Sequence, residues 1–133
     1  MIVRNIEDDQ VKQTFFIAHG GAQAWTLLGW DILKNFEGFW YSILKPGMIS
    51  QVHNHPMEEV FFFLQGGATM RVDNDKRKVR SGDAVWIPPY AVHGLVNNGD
   101  RDSIYIVVGA ESNGSRINLE DFKHLKYSVS PLD

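Results

Sequence analysis

From Phe36 onward, apolar and polar residues alternate over short stretches separated by Gly, Pro, Asn and Asp, and no long segment keeps a 3.6-residue apolar period. The pattern predicts an all-β chain with strands at 39–44, 50–55, 59–65, 67–72, 76–79, 84–87, 93–97 and 103–108. Lys45-Pro46-Gly47, Gln65-Gly66-Gly67, Asp73-Asn74-Asp75, Arg80-Ser81-Gly82-Asp83 and Asn97-Asn98-Gly99-Asp100 supply the reversals, since these residues tolerate tight turns. Many short strands with such punctuation imply a sandwich or barrel. The ends are less regular. Residues 10–29 allow one or two further strands, with His19-Gly20-Gly21 as a loop and 25–29 as the better strand. Toward the C-terminus, Asn118 or Ser115 could cap a short helix holding Leu119, Phe122 and Leu125, and Tyr127 and Val129 could add an edge strand.

Composition acts by exclusion. A chain of 133 residues with 44% hydrophobic and 22% charged residues has room for one core, so 1–133 reads as a single domain with no internal repeat. The absence of cysteine removes thiolate and disulfide chemistry. Acidic residues at Glu7, Asp8 and Asp9 come too early for a secretory signal, which predicts a cytoplasmic protein. The longest apolar runs, 60–64 and 104–110, are far shorter than the ~20 residues of a membrane-spanning helix. A formal charge of −3 offers no general attraction for nucleic acid, and Lys76, Arg77, Lys78 and Arg80 beside Asp73 and Asp75 read as a solvated hairpin tip.

The chemistry is concentrated in His53, His55, Glu59 and His93. On an extended strand His53 and His55 share one face while Asn54 points away, so two imidazoles can reach one ion. Pro56 and Met57 bend the chain, which lets a carboxylate from the next strand approach. Alternation alone does not choose between Glu58 and Glu59. His93, beyond the Pro88-Pro89 stop, must fold back over the pair, as a small barrel permits. Imidazole and carboxylate suit Fe(II), Mn(II), Ni(II), Co(II) or Zn(II) and poorly match calcium; with one carboxylate, a divalent ion keeps a charge of about +1 and welcomes an anion. Octahedral geometry leaves two open positions, whereas tetrahedral zinc held by all four donors would be closed. If Glu59 faces inward, Phe61 and Phe63 do too, while Val60, Phe62 and Leu64 take the opposite face. Tyr41, Gln51, Met70, Trp86 and Tyr90 are further candidates for the cavity lining. His19 reads as a loop residue, although an N-terminal segment could close the cavity; His124 reads as a surface side chain and Glu58 as solvent-exposed.

These residues resemble the cupin superfamily. The stretch from Gly47 through His53, His55 and Glu59 to Gly66 is similar to the first cupin motif (47–66). Gly82, Pro88, His93 and Asn97 fall where the second motif has them (82–97), and the likeness covers roughly 36–110. The resemblance implies a double-stranded β-helix, or jelly-roll, barrel that frequently dimerises by sheet extension. It makes His53, His55, Glu59 and His93 the metal ligands, selecting Glu59 over Glu58. It places Gly47, Gly66 and Gly82 in turns, Pro88 at a bend and Asn97 in support of the following turn. Tyr90 departs from the pattern, which usually has glycine there.

The implied function is a metal-dependent enzyme acting on a small polar or carboxylate-bearing metabolite, with Fe(II) or Mn(II) ahead of Ni(II), Co(II) and Zn(II). Dioxygenase chemistry stands slightly ahead of isomerase, decarboxylase or lyase chemistry, in which Tyr90 or a water would transfer the proton. Tyr41, Gln51, Phe61, Phe63 and Trp86 are the expected substrate contacts, although Phe61 and Phe63 read first as ordinary core residues. Non-catalytic small-molecule or sugar binding is the alternative. A homodimer is expected, with no nucleic-acid or membrane partner; no DNA-binding helix accompanies the barrel.

Overall fold

The structure is a computed structural model that describes residues 1–110 and Pro131. A single helical turn, α1 (Asp9–Lys12), precedes ten strands: β1 (Phe16–Ala18), β2 (Ala22–Leu28), β3 (Phe36–Leu44), β4 (Ile49–His53), β5 (Glu58–Gln65), β6 (Gly67–Val72), β7 (Asp75–Arg80), β8 (Ala84–Ile87), β9 (His93–Val96) and β10 (Ser103–Ala110). All pairings are antiparallel. They build a six-stranded sheet in the order β1-β2-β3-β10-β5-β8 and a four-stranded sheet in the order β4-β9-β6-β7. This is the jelly-roll arrangement of a double-stranded β-helix.

Strict alternation makes the inner face. Along β5, Glu59, Phe61 and Phe63 are buried while Val60, Phe62 and Leu64 are exposed; along β10, Ser103, Tyr105 and Val107 are buried. Phe61, Phe63, Tyr105 and Leu44 from the larger sheet meet Met70 and Leu95 from the smaller one in a common core. Each large apolar side chain so buried contributes roughly 1.5–3 kcal/mol.

The predicted reversals are present. Gly47, Gly66 and Gly82 take φ values of 79°, 67° and 93°, the left-handed region that a side chain disfavours. Asn97 is fully buried; its amide donates to the carbonyls of Leu44 and Arg101 at 2.8 Å, and its Oδ1 accepts from the Gly99 N–H at 3.0 Å. One side chain thereby ties the end of β3 to the turn after β9. The basic cluster lies exposed on β7, where Arg77 pairs with Asp75 at 2.6 Å. Two expectations change. Residues 9–12 form a helical turn whose Val11 is buried, so strand structure begins only at Phe16. β4 stops at His53, because a register shift between Ser50 and His53 disturbs its ladder with β9 and leaves Asn54 and His55 beyond its end. The helix around Leu119, Phe122 and Leu125, the strand at Tyr127 and Val129, and His124 lie outside the described residues. Among the described residues no helix is long and apolar enough to cross a membrane.

Candidate metal centre

Three strands and one corner bring four donors together. The end of β4 carries His53, the corner after it His55, the start of β5 Glu59 and the start of β9 His93, which faces His53 directly in register. All four are buried. The ligating nitrogens of the three histidines lie within 4.8 Å of one another. His55 Nε2 and His93 Nε2 stand 2.7 and 3.1 Å from the same oxygen, Glu59 Oε1.

Backbone contacts set the rings. Nδ1 of His53, His55 and His93 lies 2.8, 3.2 and 2.9 Å from the carbonyl oxygens of Gln51, Met57 and Ala91. A carbonyl only accepts, so each Nδ1 carries a proton and each Nε2 faces inward, where an ion would take its lone pair in place of the proton that His55 shares with Glu59. Burial, reinforced by the neighbouring His19 and His93, pushes His53 down to about 2 and keeps it neutral. Burial would also lower His55, yet the hydrogen-bonded Glu59 carboxylate outweighs it and raises this imidazole. For Glu59 burial would favour the acid, but His55 and His93 hold the carboxylate well below its usual range. Three clustered imidazoles, two of them on one carboxylate oxygen, fit a divalent transition ion.

The centre opens onto a cavity of about 620 Å³. Phe61, Trp40, Met57 and Val107 form apolar wall, and Tyr105 stacks on Phe61 with ring centroids 5.3 Å apart. Burial, with Glu59 adding to it, pushes the Tyr105 phenol up, so it stays neutral. Gly38 and Gly109 make the room: a Cβ at Gly38 would collide with the Trp40 indole, and one at Gly109 would come within 3.3 Å of it.

The predicted site residues separate into groups. Phe61 lines the cavity beside His93, at a ring-centroid distance of 6.3 Å, whereas Phe63 packs below it against Tyr105 in the core. Tyr41 is on the opposite face of β3 from Trp40 and Ser42 and packs near Trp25. Gln51 serves the 19–21 loop instead of the cavity: its N–H donates to the His19 carbonyl at 2.8 Å, and its side chain packs under Gly20. Trp86 pairs with the outward Val60, is 60% exposed, and donates its indole N–H to Glu58 at 2.9 Å. Met70 is core. Tyr90 is 63% exposed with φ of 65°, which accounts for glycine being usual at this position; its N–H donates to the His55 carbonyl at 2.8 Å.

Two residues of the cavity were not among the predicted site residues. His19 lines it and stacks on His53, with ring centroids 3.5 Å apart and planes at 19°. The signal was the His-Gly-Gly run, since Gly21 lies so close to the Ile49 carbonyl that a Cβ would overlap it. Glu37, at the start of β3, lines the cavity at 4% exposure and accepts a hydrogen bond from the Trp30 indole at 2.9 Å. Nothing in its neighbourhood of aromatic residues marked it as an inward-facing acid.

A jelly-roll barrel with a buried three-histidine centre at the head of a pocket defines a metal-binding cupin, and comparison with known proteins agrees. The cupin domain family matches residues 40–109, and the chain belongs to that family. A Methanocaldococcus jannaschii protein, MJ1618, is 30% identical over 102 residues, covering 75% of this chain and 80% of the relative. Gentisate 1,2-dioxygenase 1 of Aquipseudomonas alcaligenes is 32% identical over 65 residues, which is 48% of this chain but only 19% of that enzyme. Among solved structures, a predicted oxalate decarboxylase of Thermotoga maritima superposes with a TM-score of 0.73 at 21% identity, covering 84% of this chain and all of the other.

Proposed function

We propose that the protein is a metal-dependent enzyme in which His53, His55, Glu59 and His93 hold one divalent ion, Fe(II) or Mn(II) ahead of Ni(II), Co(II) and Zn(II). Its substrate is a small metabolite that reaches the ion through two oxygens. The observation that carries this reading is that His55 and Glu59, packed against His53 and His93, line a cavity of about 620 Å³, so that a ligand can reach the centre. Once bound, the ion supplies Lewis acidity and open coordination positions toward the chelating oxygens. The chain does the rest. Nδ1–carbonyl contacts fix the ligand rings, and Phe61, Trp40 and Val107 exclude water around the reacting group. His19 closes the face of His53.

Dioxygenase chemistry takes precedence, supported by the 32% identity to gentisate 1,2-dioxygenase 1 over 65 residues. Isomerase, decarboxylase or lyase chemistry needs the same centre without oxygen, and non-catalytic ligand binding needs only the cavity. The test loads the protein anaerobically with Fe(II) and follows oxygen uptake with 2,5-dihydroxybenzoate and a panel of ortho-hydroxy and α-keto carboxylates. Oxygen uptake matched to product with one of them is expected. Glu59→Gln should abolish it and weaken metal affinity by more than the 10–100-fold typical of a residue that only orients a ligand. Turnover that persists unchanged without oxygen would remove the dioxygenase reading, and saturable binding with no product would leave a binding protein. Tyr90→Phe, assayed alongside, separates proton transfer by the phenol, which would lower kcat, from a backbone role, which would not.

A further inference from the structure

Glu37 has no place among the metal donors, yet it stands in the same cavity. A Cβ on Gly109 would lie 3.5 Å from Glu37 Cβ, 3.7 Å from Glu59 Cγ and 3.3 Å from the Trp40 ring. One side-chain-free position on β10 is thus flanked by the side chains of Glu59 and Glu37 and by an aromatic plane. A carboxylate offers about four acceptor positions and no donor. The Trp30 indole engages Oε2 and orients the group. The surroundings are otherwise mostly apolar, where an acceptor discriminates strongly between a ligand that donates to it and one that does not.

We propose that Glu37 is the second recognition point of the cavity, accepting a hydrogen bond from a hydroxyl or amine on the body of the ligand whose other end chelates the metal. This rests on the metal-site reading above and narrows it. The ligand class becomes a flat apolar or aromatic molecule with two chelating oxygens at one end and a hydrogen-bond donor at the other. Trp40 and Phe61 take the flat body, while Glu37 selects the donor. A ligand that is small and polar throughout, such as a simple dicarboxylate, would leave the apolar walls unused and bring a second negative charge toward Glu37.

The test uses the full chain loaded with Mn²⁺ under nitrogen, an octahedral ion that keeps two positions open beside four protein donors, and measures binding of benzohydroxamate and its 3- and 4-hydroxy and 3- and 4-methoxy derivatives by calorimetry. The hydroxamate supplies two oxygens to the metal, the ring fills the apolar space, and hydroxy and methoxy differ in having or lacking the donor. At least one hydroxy derivative should bind about 10-fold or more tightly than its methoxy partner, the size expected for a hydrogen bond to a charged group. In Glu37→Gln this ratio should fall to about 3-fold or less. Because the readout is a ratio between paired ligands, general weakening of the site cancels. A hydroxy-to-methoxy ratio near one in the wild type, or one that Glu37→Gln leaves unchanged, overturns the role of Glu37 while the metal site stands. Mn²⁺ binding with no hydroxamate binding overturns the ligand class. Failure to bind Mn²⁺ at all overturns the metal-site reading and this inference with it.

Discussion

His19 and His53 stack face to face with centroids 3.5 Å apart, and a proton on either ring would be held against the other within a poorly solvated pocket. Burial therefore lowers both, His19 to about 4 and His53 to about 2; for His19 the Glu59 carboxylate partly opposes burial, while His93 and His55 add to it. A folded-state value below the unfolded one means that the unfolded chain binds more protons between the two, so stability is complete above about pH 6.5 and falls as the pH is lowered. His55 works in the opposite sense, since its raised value gives stability that is complete below 6.5 and lost only as the pH rises. Glu59, depressed from 4.5, enters only below that value. Between pH 6.5 and 5 the two depressed imidazoles dominate, each at up to about 1.4 kcal/mol per pH unit. The metal-free protein should accordingly lose several degrees of Tm over this window, and His19→Phe, which keeps a ring against His53 but cannot titrate, should remove about half of the loss. Parallel Tm-versus-pH curves for wild type and variant would show that His19 takes up a proton in the folded protein as readily as in the unfolded chain.

The hairpin of β1 and β2 is the element that brings His19 to the centre, and glycine is what lets its tip dock on β4. Gly21 lies against the Ile49 carbonyl, Gly20 takes φ of 81° over the Gln51 side chain, and the Gln51 N–H closes onto the His19 carbonyl. A methyl at Gly21 meets backbone, which cannot swing aside, so Gly21→Ala should lift the tip at a cost of about 1–3 kcal/mol. Faster hydrogen exchange at the Gln51 amide and a metal affinity reduced within the 10–100-fold range of an orienting residue are expected. Unchanged exchange would show that β4 yields instead of the hairpin. The same elements show what a sequence displays and what it hides. Strand alternation grouped Glu59, Phe61 and Phe63 on one face and the cupin resemblance made that face the inward one, while glycine at 47, 66 and 82 marked turns that take positive φ. Gln51 and Trp86 were not assignable, because their facing depends on the bulge in β4 and on the pairing of Trp86 with the outward Val60. His19 and Glu37 reach the cavity through contacts between distant segments, which no local period encodes. The expected pairing of His53 and His55 on one strand face is replaced by a strand end and the corner beyond it, which still delivers both rings to one point.

At the scale of the molecule, the two sheets treat their edges differently. β7 closes one edge of the smaller sheet with Lys76, Arg77, Lys78 and Arg80, charges that oppose pairing with another chain. β8 closes one edge of the larger sheet with four residues, and Trp86 lies there beside the exposed Val60, Phe62 and Leu64. These side chains are 41–60% exposed among the described residues and lie on the face turned away from the cavity, where they contribute nothing to the core. An apolar stripe at an uncharged sheet edge favours association of two copies through that side, leaving the cavity lining untouched. Light scattering during size-exclusion chromatography should then report about twice the 15.1 kDa chain mass. Phe62→Lys, an outward position whose substitution spares the core, should shift the protein to the monomer mass while metal binding is retained. A wild type that elutes as a monomer at tens of micromolar would exclude this face as a dimer contact, and a dimer that survives Phe62→Lys would move the contact to another surface.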